Sequence, residues 1–442
     1  SRLALSDIIY SSAQMVQAVR GGQSLSEALS TVSTSRRAAT RAVSFHVVRQ
    51  LGMATELKRL LVKKTPSNPL ADAVLLVALA LLETALRVKQ PLARRPVLPN
   101  EPIYEIHTIV DQTVRLAASR RALKPFKGLF NACLRRLCRE SSVLLEQALK
   151  NPVAEFNHPQ WWIRLVQSAY PNSWQALLHA ANRPGPMTLR VNQRQQTVEQ
   201  LQVLFQQQGI ASQPIGEVGL VLEHAKPVYE LPGFHEGWWS VQDAAAQLAA
   251  DLLNPQKDEY LLDACAAPGG KTAHLLEKAD VSLMALDSDA LRLKKVQENL
   301  QRLKLESPAV QLKCADASKL SDWWTGKPFD AVLADVPCTA SGVVRRHPDI
   351  RWLRRESDLA QTVQLQCRII EALWQTVKPG GRLLYATCSI FPQEGEQQAQ
   401  QFLSNHPDAQ RLPAPGQILS LAPSNSSADY DGFFYALFTK RT

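Results

Sequence analysis

The chain is 442 residues long, 45% hydrophobic and 20% charged, with a net charge of +10. That length exceeds one ordinary core, so two or three domains are expected, and the composition excludes a disordered or fibrous chain. The longest apolar run, Ala73 to Leu82, is closed by Glu83. A membrane span needs about twenty such residues, so this run is read as a buried helix, and no membrane partner is expected. Seven cysteines (133, 138, 265, 314, 338, 367 and 388) include no CxxC pair. Neither a disulfide framework nor a zinc cluster follows, no metal is expected, and free thiols fit a reducing cytoplasm.

The charge is unevenly placed. Residues 1–150 hold 23 Lys/Arg against 10 Asp/Glu, and the remaining 292 hold 27 against 30. A basic module joined to a nearly neutral one suggests an arm for a polyanion. A merely solvated helical face is the plain alternative.

The first third reads as helical. In "SLSEALSTV", Ser24 stands three residues before Glu27, a capping-box spacing. Ile106, Ile109, Val110, Val114 and Ala117 recur on one helical face. "KQPLARRPVLPNEP" (Lys89 to Pro102) is a loop by its four prolines. From about Asn151 the texture changes. "RPGPMTLRVN" leads into a short strand, and "VEQLQVLFQQQGI" is a helix stopped by Gly209, together a small α+β module ending near Pro227.

After Val241, strands "YLLDAC", "VSLMALD", "VQLKCAD", "FDAVLADV" and "GRLLYATC" alternate with helices such as "ALRLKKVQENLQRL". This predicts an open, largely parallel, doubly wound α/β sheet, whose ligands bind outside the carboxyl ends of the strands. Cys265, Asp287, Asp335 and Cys388 end four of those runs and converge on one edge. "LLDACAAPGGKT" (Leu261 to Thr272) combines a strand, a Pro-Gly-Gly loop and a helix start. Its glycines allow close backbone approach, and the helix amino end favours a carboxylate. GxGxxG is not met. Asp287, ending the next strand, is placed for ribose hydroxyls, so a nucleoside ligand without a pyrophosphate fits better than NAD.

In order along the chain, "CAAPGGKT", "DVPCTASG" (Asp335 to Gly342), "RRHPDIRW", "KPGG", "YATCS" (Tyr385 to Ser389) and "DGFFYA" resemble the motifs of the RNA cytosine-5 methyltransferases. Val336 stands where alanine is usual, and Thr339 and Ser341 vary a Ser-Ala-Thr pattern. "FNACLRRL" (Phe130 to Leu137) looks like part of a NusB-type RNA-binding module. The resemblance implies three domains: an all-α NusB-like RNA-binding domain at 1–148, a small α+β module at 149–228, and a Rossmann-like class I methyltransferase domain at 229–442. It implies S-adenosylmethionine as cofactor, held by Cys265, Ala266, Ala267, Pro268, Gly269, Gly270, Lys271, Asp287, Asp316 and Asp335.

The resemblance also assigns the chemistry. Cys388 is expected to attack carbon 6 of a cytosine, Cys338 to assist release, and Asp335 to hydrogen-bond the base. A free thiol is only a few per cent ionised at neutral pH, so such a site must favour the thiolate. Small-subunit (16S) ribosomal RNA is the expected partner and a monomer the expected state. Arg345, Arg346, Arg351 and Lys271 are candidate RNA contacts, with Trp352 beside the arginines to stack on a base. Cys133, Cys138, Cys314 and Cys367 are read as core. A transfer-RNA enzyme and a non-catalytic RNA-binding or antitermination factor are the alternatives. A DNA enzyme would attack with Cys338 and have no need of Cys388.

Overall fold

In the computed structural model, which describes residues 3–421 and 429–442, the chain begins as a run of helices. These are α1 (Leu5–Arg20), α2 (Leu25–Ser30), α3 (Thr34–Arg49), α4 (Leu51–Leu61), α5 (Pro69–Lys89), α6 (Ile106–Ser119), α7 (Lys127–Arg139), α8 (Ser141–Ala148), α9 (Pro152–Phe156), α10 (Gln160–Ala169) and α11 (Trp174–Ala180). Ser24 caps α2 by accepting from Glu27 N at 3.2 Å, at the expected capping position. Asn68 caps α5, accepting from Leu70 N and Ala71 N, and Pro69 opens it with the φ a helix needs. Helix α5 is apolar on every side, which demands burial on every side. It is long and apolar enough to cross a membrane, yet 89% of its most apolar window is buried inside the unit, where α1 and α4 pack on it.

The chain divides into two compact units. The first contains the residues up to Arg183 together with Val344–Glu356, and the second contains Pro184–Val343 and Ser357–Thr442. Helices α9 to α11 pack with the helical unit.

The returning segment Val344–Glu356 is anchored in the helical unit by its own side chains. Arg351 is fully buried. Its Nε donates to Pro348 O at 3.1 Å, Nη1 to Asn157 O at 3.1 Å and to Asn182 Oδ1, and Nη2 to Ala181 O at 2.9 Å. Asn157 and Ala181 are the C-caps of α9 and α11, so the guanidinium satisfies carbonyls that helix ends leave unpaired. Asp349 accepts from Leu25 N at 2.8 Å, Arg49 donates to Arg345 O at 2.8 Å, and Trp352 Nε1 donates to Val48 O at 2.9 Å. The Trp352 side chain packs on both hydrophobic clusters of the helical unit.

Arg345, 6% exposed, and Arg351 are thus inside the unit rather than on an RNA-facing surface, and Trp352 is not a free stacking platform. A count of basic residues does not reveal which guanidinium is needed by buried carbonyls. Arg346 is half-buried.

The second unit holds two sheets. Strands β1 (Thr188–Val191), β2 (Ser212–Ile215), β3 (Gly219–Leu222) and β4 (Trp239–Val241) form an antiparallel sheet in the order β2-β3-β1-β4, with α12 (Val198–Gln207) packed on it. The larger sheet contains β5 (Tyr260–Asp263), β6 (Ser282–Asp287), β7 (Val310–Cys314), β8 (Phe329–Asp335), β9 (Val377–Thr387), β10 (Ala409–Ile418) and β11 (Phe433–Lys440). Its order is β10-β11-β9-β8-β5-β6-β7. Strands β5 to β9 are parallel, while β11 runs antiparallel to both β9 and β10. The five parallel strands coincide with the five predicted runs.

Helices α13 (Ala244–Leu253), α14 (Gly270–Lys278) and α15 (Ala290–Arg302) share one apolar cluster with Leu261, Ala285, Leu333 and Leu384. Helices α16 (Glu356–Trp374) and α17 (Glu396–Asn405) share another with Leu262, Leu286, Val332 and Leu383. Alternate residues of each strand thus feed opposite faces, which makes the fold doubly wound. Order reverses at β5, between β6 and β8, and ligands of such sheets sit outside this switch point. Cys133 lies in the helical core and Cys138 and Cys367 are partly buried, but Cys314 is exposed at the end of edge strand β7.

Arg351→Ala would orphan several buried carbonyls. We expect it to destabilise the protein by about 2–4 kcal/mol, read as a lower Tm. A Tm equal to that of the wild type would show that the segment is not anchored through this side chain.

Candidate active site

Between β5 and α14 the loop Ala264–Gly269 turns under tight constraint. Gly269 has φ +100°, and a Cβ there would stand 3.0 Å from Val296 Cγ1, so both conformation and packing demand glycine. The loop is tied by Ala266 N to Leu286 O at 2.8 Å and by Asn299 Nδ2 to Pro268 O at 2.8 Å. Ala267 N donates to Asp287 Oδ2 at 3.1 Å, and Asp289 N to Asp287 Oδ1 at 3.1 Å. Beyond β7, Asp316 Oδ1 accepts from Ser318 N at 2.9 Å and Ser318 Oγ at 2.7 Å, and the hydroxyl bond holds this carboxyl below its usual range.

Asp263, at the end of β5, is buried and accepts from Thr272 Oγ1 at 2.6 Å. Burial pushes its carboxyl up to about 7. Cys265 is held well above the ordinary thiol range, first by burial and then by the charges of Asp335, Asp263 and Asp287.

Lys271, 15% exposed, places Nζ 2.8 Å from Asp335 Oδ2 at the end of β8. Burial works against its charge, but the charge of Asp335 and the hydrogen bond to it, with Cys388 and Asp263 behind, carry its pKa above the usual value. Its ammonium also lies 5.3 Å from the Phe433 ring centroid. Lys271 thus belongs to this site rather than to an open basic face.

Cys338 and Cys388 follow the ends of adjacent strands β8 and β9, and their sulfurs are 3.4 Å apart. Gly342 N donates to Cys388 O at 2.8 Å, which binds the two loops. A Cβ on Gly342 would come within 2.1 Å of Gly432 O, so this approach also requires glycine. Cys338 is held well above the ordinary thiol range by its bond to Cys388, then by burial, and further by the charges of Cys388 and Glu394. The contact with Cys388 therefore disfavours a thiolate at Cys338.

Glu394 was not anticipated. It is wholly buried. Oε1 accepts from Thr339 N at 2.8 Å and Gln366 Nε2 at 3.1 Å, while Oε2 accepts from Thr339 Oγ1 at 2.6 Å and from Ser389 Oγ. An acid six residues past Cys388, in the run "SIFPQEGE", was the available signal, but its burial was not legible.

The loop and strand-end acids fit an S-adenosylmethionine molecule. Each Asp287 oxygen accepts one backbone N–H and retains a lone pair for a ribose hydroxyl. The amino end of α14 suits a carboxylate. Sheet order, glycine loop and strand-end acids together define a Rossmann-like S-adenosylmethionine-dependent methyltransferase.

The comparisons narrow this. Residues 250–439 match the family described as 16S rRNA methyltransferase RsmB/F, and residues 158–229 match the RsmF/B-like ferredoxin-like domain. The chain is 46% identical over 342 residues to ribosomal RNA small subunit methyltransferase B of Vibrio cholerae, covering 76% of this chain and 77% of that one. The same protein of Serratia proteamaculans is 44% identical over 339 residues, covering 76% and 78%. Among solved structures, PH0851 superposes with a TM-score of 0.73 at 25% identity, covering 98% of this chain and 99% of that one. A methyltransferase homologue from Pyrococcus horikoshii has a TM-score of 0.56 at 26% identity, covering 65% and 97%. The chain belongs to the ribosomal RNA small subunit methyltransferase B family.

Asp287→Ala removes an acceptor suited to the ribose. The variant is expected to bind S-adenosylmethionine about 1.5–3 kcal/mol more weakly, the scale of a hydrogen bond to a charged group. Calorimetry checks this, and unchanged affinity in a folded variant would refute the assignment.

Proposed function

We propose that the protein transfers a methyl group to carbon 5 of a cytosine in small-subunit ribosomal RNA, through a covalent adduct on Cys388. The observation that carries this reading is the 3.4 Å approach of two thiols beside the Lys271–Asp335 pair. S-adenosylmethionine, when bound, supplies an electrophilic methyl group. The relatives' names support the RNA class, and the Thr-Cys-Ser string supports Cys388 rather than Cys338 as the attacking thiol.

Carbon 5 of cytosine is a poor nucleophile. Addition of the Cys388 thiolate to carbon 6 turns the ring into an enamine whose carbon 5 is reactive. Asp335 accepts from the exocyclic amino group and orients the base, and the Lys271 ammonium beside it offsets the negative charge that develops on the ring. While Cys388 is anionic, its contact keeps Cys338 protonated. Once Cys388 is bonded to carbon 6 that charge is gone, and Cys338 loses its largest reason to keep the proton. Carbon 5 takes up the methyl group, Cys338 gives its proton to solvent, its thiolate removes the proton from carbon 5, and the carbon 6–sulfur bond breaks to return Cys388 as a thiolate. A base must leave its stack to meet both thiols, so a flipped or single-stranded target follows.

Two variants should fail differently. Cys388→Ala should bind RNA and yield neither product nor a covalent complex. Cys338→Ala should still attack and release slowly, leaving protein attached to RNA on a denaturing gel. An adduct kept by Cys388→Ala and lost by Cys338→Ala would reverse the roles.

The helical unit is the proposed electrostatic platform for RNA. Arg121, Lys124 and Lys127 lie exposed ahead of and at the start of α7. Replacing all three with alanine should reduce the slope of log K against log salt by about 2, since each phosphate contact to a single strand adds about 0.7. An unchanged slope would move the platform elsewhere.

A further inference from the structure

Glu394 touches both cysteine loops and neither sulfur. Its carboxylate receives four hydrogen bonds, which fill the about four lone-pair sites an ionised carboxylate offers. Two of those bonds come from Thr339, the residue after Cys338, and one from Ser389, the residue after Cys388. The fourth donor, Gln366, also donates to Pro337 O at 2.9 Å, so Cys338 is gripped on both sides. The main chain of Glu394 is itself held by Tyr385 OH, which donates to its carbonyl at 2.6 Å.

We propose that Glu394 is a positioning residue for the two thiols: its buried carboxylate ties Thr339 to Ser389, the residues that follow the two cysteines, and so sets the sulfur-to-sulfur spacing. The role rests on the reading of Cys338 and Cys388 as the reacting pair. Among the described residues no Lys or Arg pairs with this carboxylate, so a second anion nearby is disfavoured, and Cys338 bears that cost. Its geometric grip and its charge act on the same sulfur.

The two carboxylate oxygens are used differently. Oε1 serves N–H donors, whereas Oε2 serves the hydroxyls of Thr339 and Ser389, which can turn to accept. Glu394→Gln, with its carbonyl at the Oε1 position, therefore removes the charge and preserves the grip.

The test is alkylation of the full-length protein by iodoacetamide across a pH series, without RNA or cofactor, with each cysteine quantified by mass spectrometry. In the wild type, Cys388 should be alkylated at lower pH than Cys338. In Glu394→Gln the Cys338 midpoint should fall, raising its rate at pH ~8 about tenfold, the change in thiolate for one unit of pKa. Glu396→Gln, which removes a carboxylate paired with Arg411 on the outer face of α17, should leave that midpoint unchanged. In methylation assays Glu394→Gln should lower kcat and leave KM for RNA as in the wild type. A Cys338 midpoint unmoved in folded Glu394→Gln, or Cys338 ionising first in the wild type, overturns the proposal. Should Glu394→Gln not fold, Thr339→Val removes one of the gripping hydroxyls, and an unchanged kcat there overturns it equally. The alkylation readout is independent of catalysis: a midpoint shift without a Cys388 adduct would refute the mechanism and leave the positioning role standing.

Discussion

Parallel pairing of β8 with β9, in the register that sets Asp335 beside Ala386, governs the site. That register brings the loop after Asp335 against the loop after Thr387, and the two sulfurs meet as a consequence. A slip by one residue would turn every side chain of β9 to the opposite face and separate the loops. The register is secured because both faces of these strands are buried, with Leu333 and Leu384 on one side and Val332 and Leu383 on the other. Core packing is therefore what places the chemistry, and the glycines at 342 and 432 let the backbones approach closely enough to use it.

Charges inside this unit are arranged around that contact in graded fashion. Lys271 and Asp335 neutralise one another at the open end. Asp263 and Cys265, deeper in, are driven toward their neutral forms by burial. Glu394 is ringed by donors. Cys338 is held toward the thiol form by its contact with Cys388, then by burial and by the charges of Cys388 and Glu394.

Much of the catalytic unit was legible in the sequence. The strands β5 to β9 are near-continuous apolar runs ending in chemistry-capable residues, and their alternation with helices leaves few topologies. The edge was harder to read: β10 and β11 add an antiparallel pair that no local pattern separates from other apolar segments, and β2 to β4 are short. Arg351 and Glu394 show why the remainder was hidden. Both are charged residues that simple patterning assigns to solvent or to ligand, and both are buried because they satisfy main-chain groups and hydroxyls contributed by segments distant in sequence. Arg351 joins Asn157 and Ala181 to its own segment. Glu394 joins Thr339 to Ser389. Partners so far apart along the chain leave no periodicity to detect.

The central claim is that Cys388 forms the bond to carbon 6 and Cys338 does not. Its most direct test is peptide mapping of the covalent complex formed by the wild type with S-adenosylmethionine and RNA carrying 5-fluorocytosine, which lacks the proton that must leave. After nuclease and protease digestion, the nucleotide mass should be found on the peptide containing Cys388, with Cys338 unmodified. The same mass on the Cys338 peptide, or no covalent complex at all, would contradict the account.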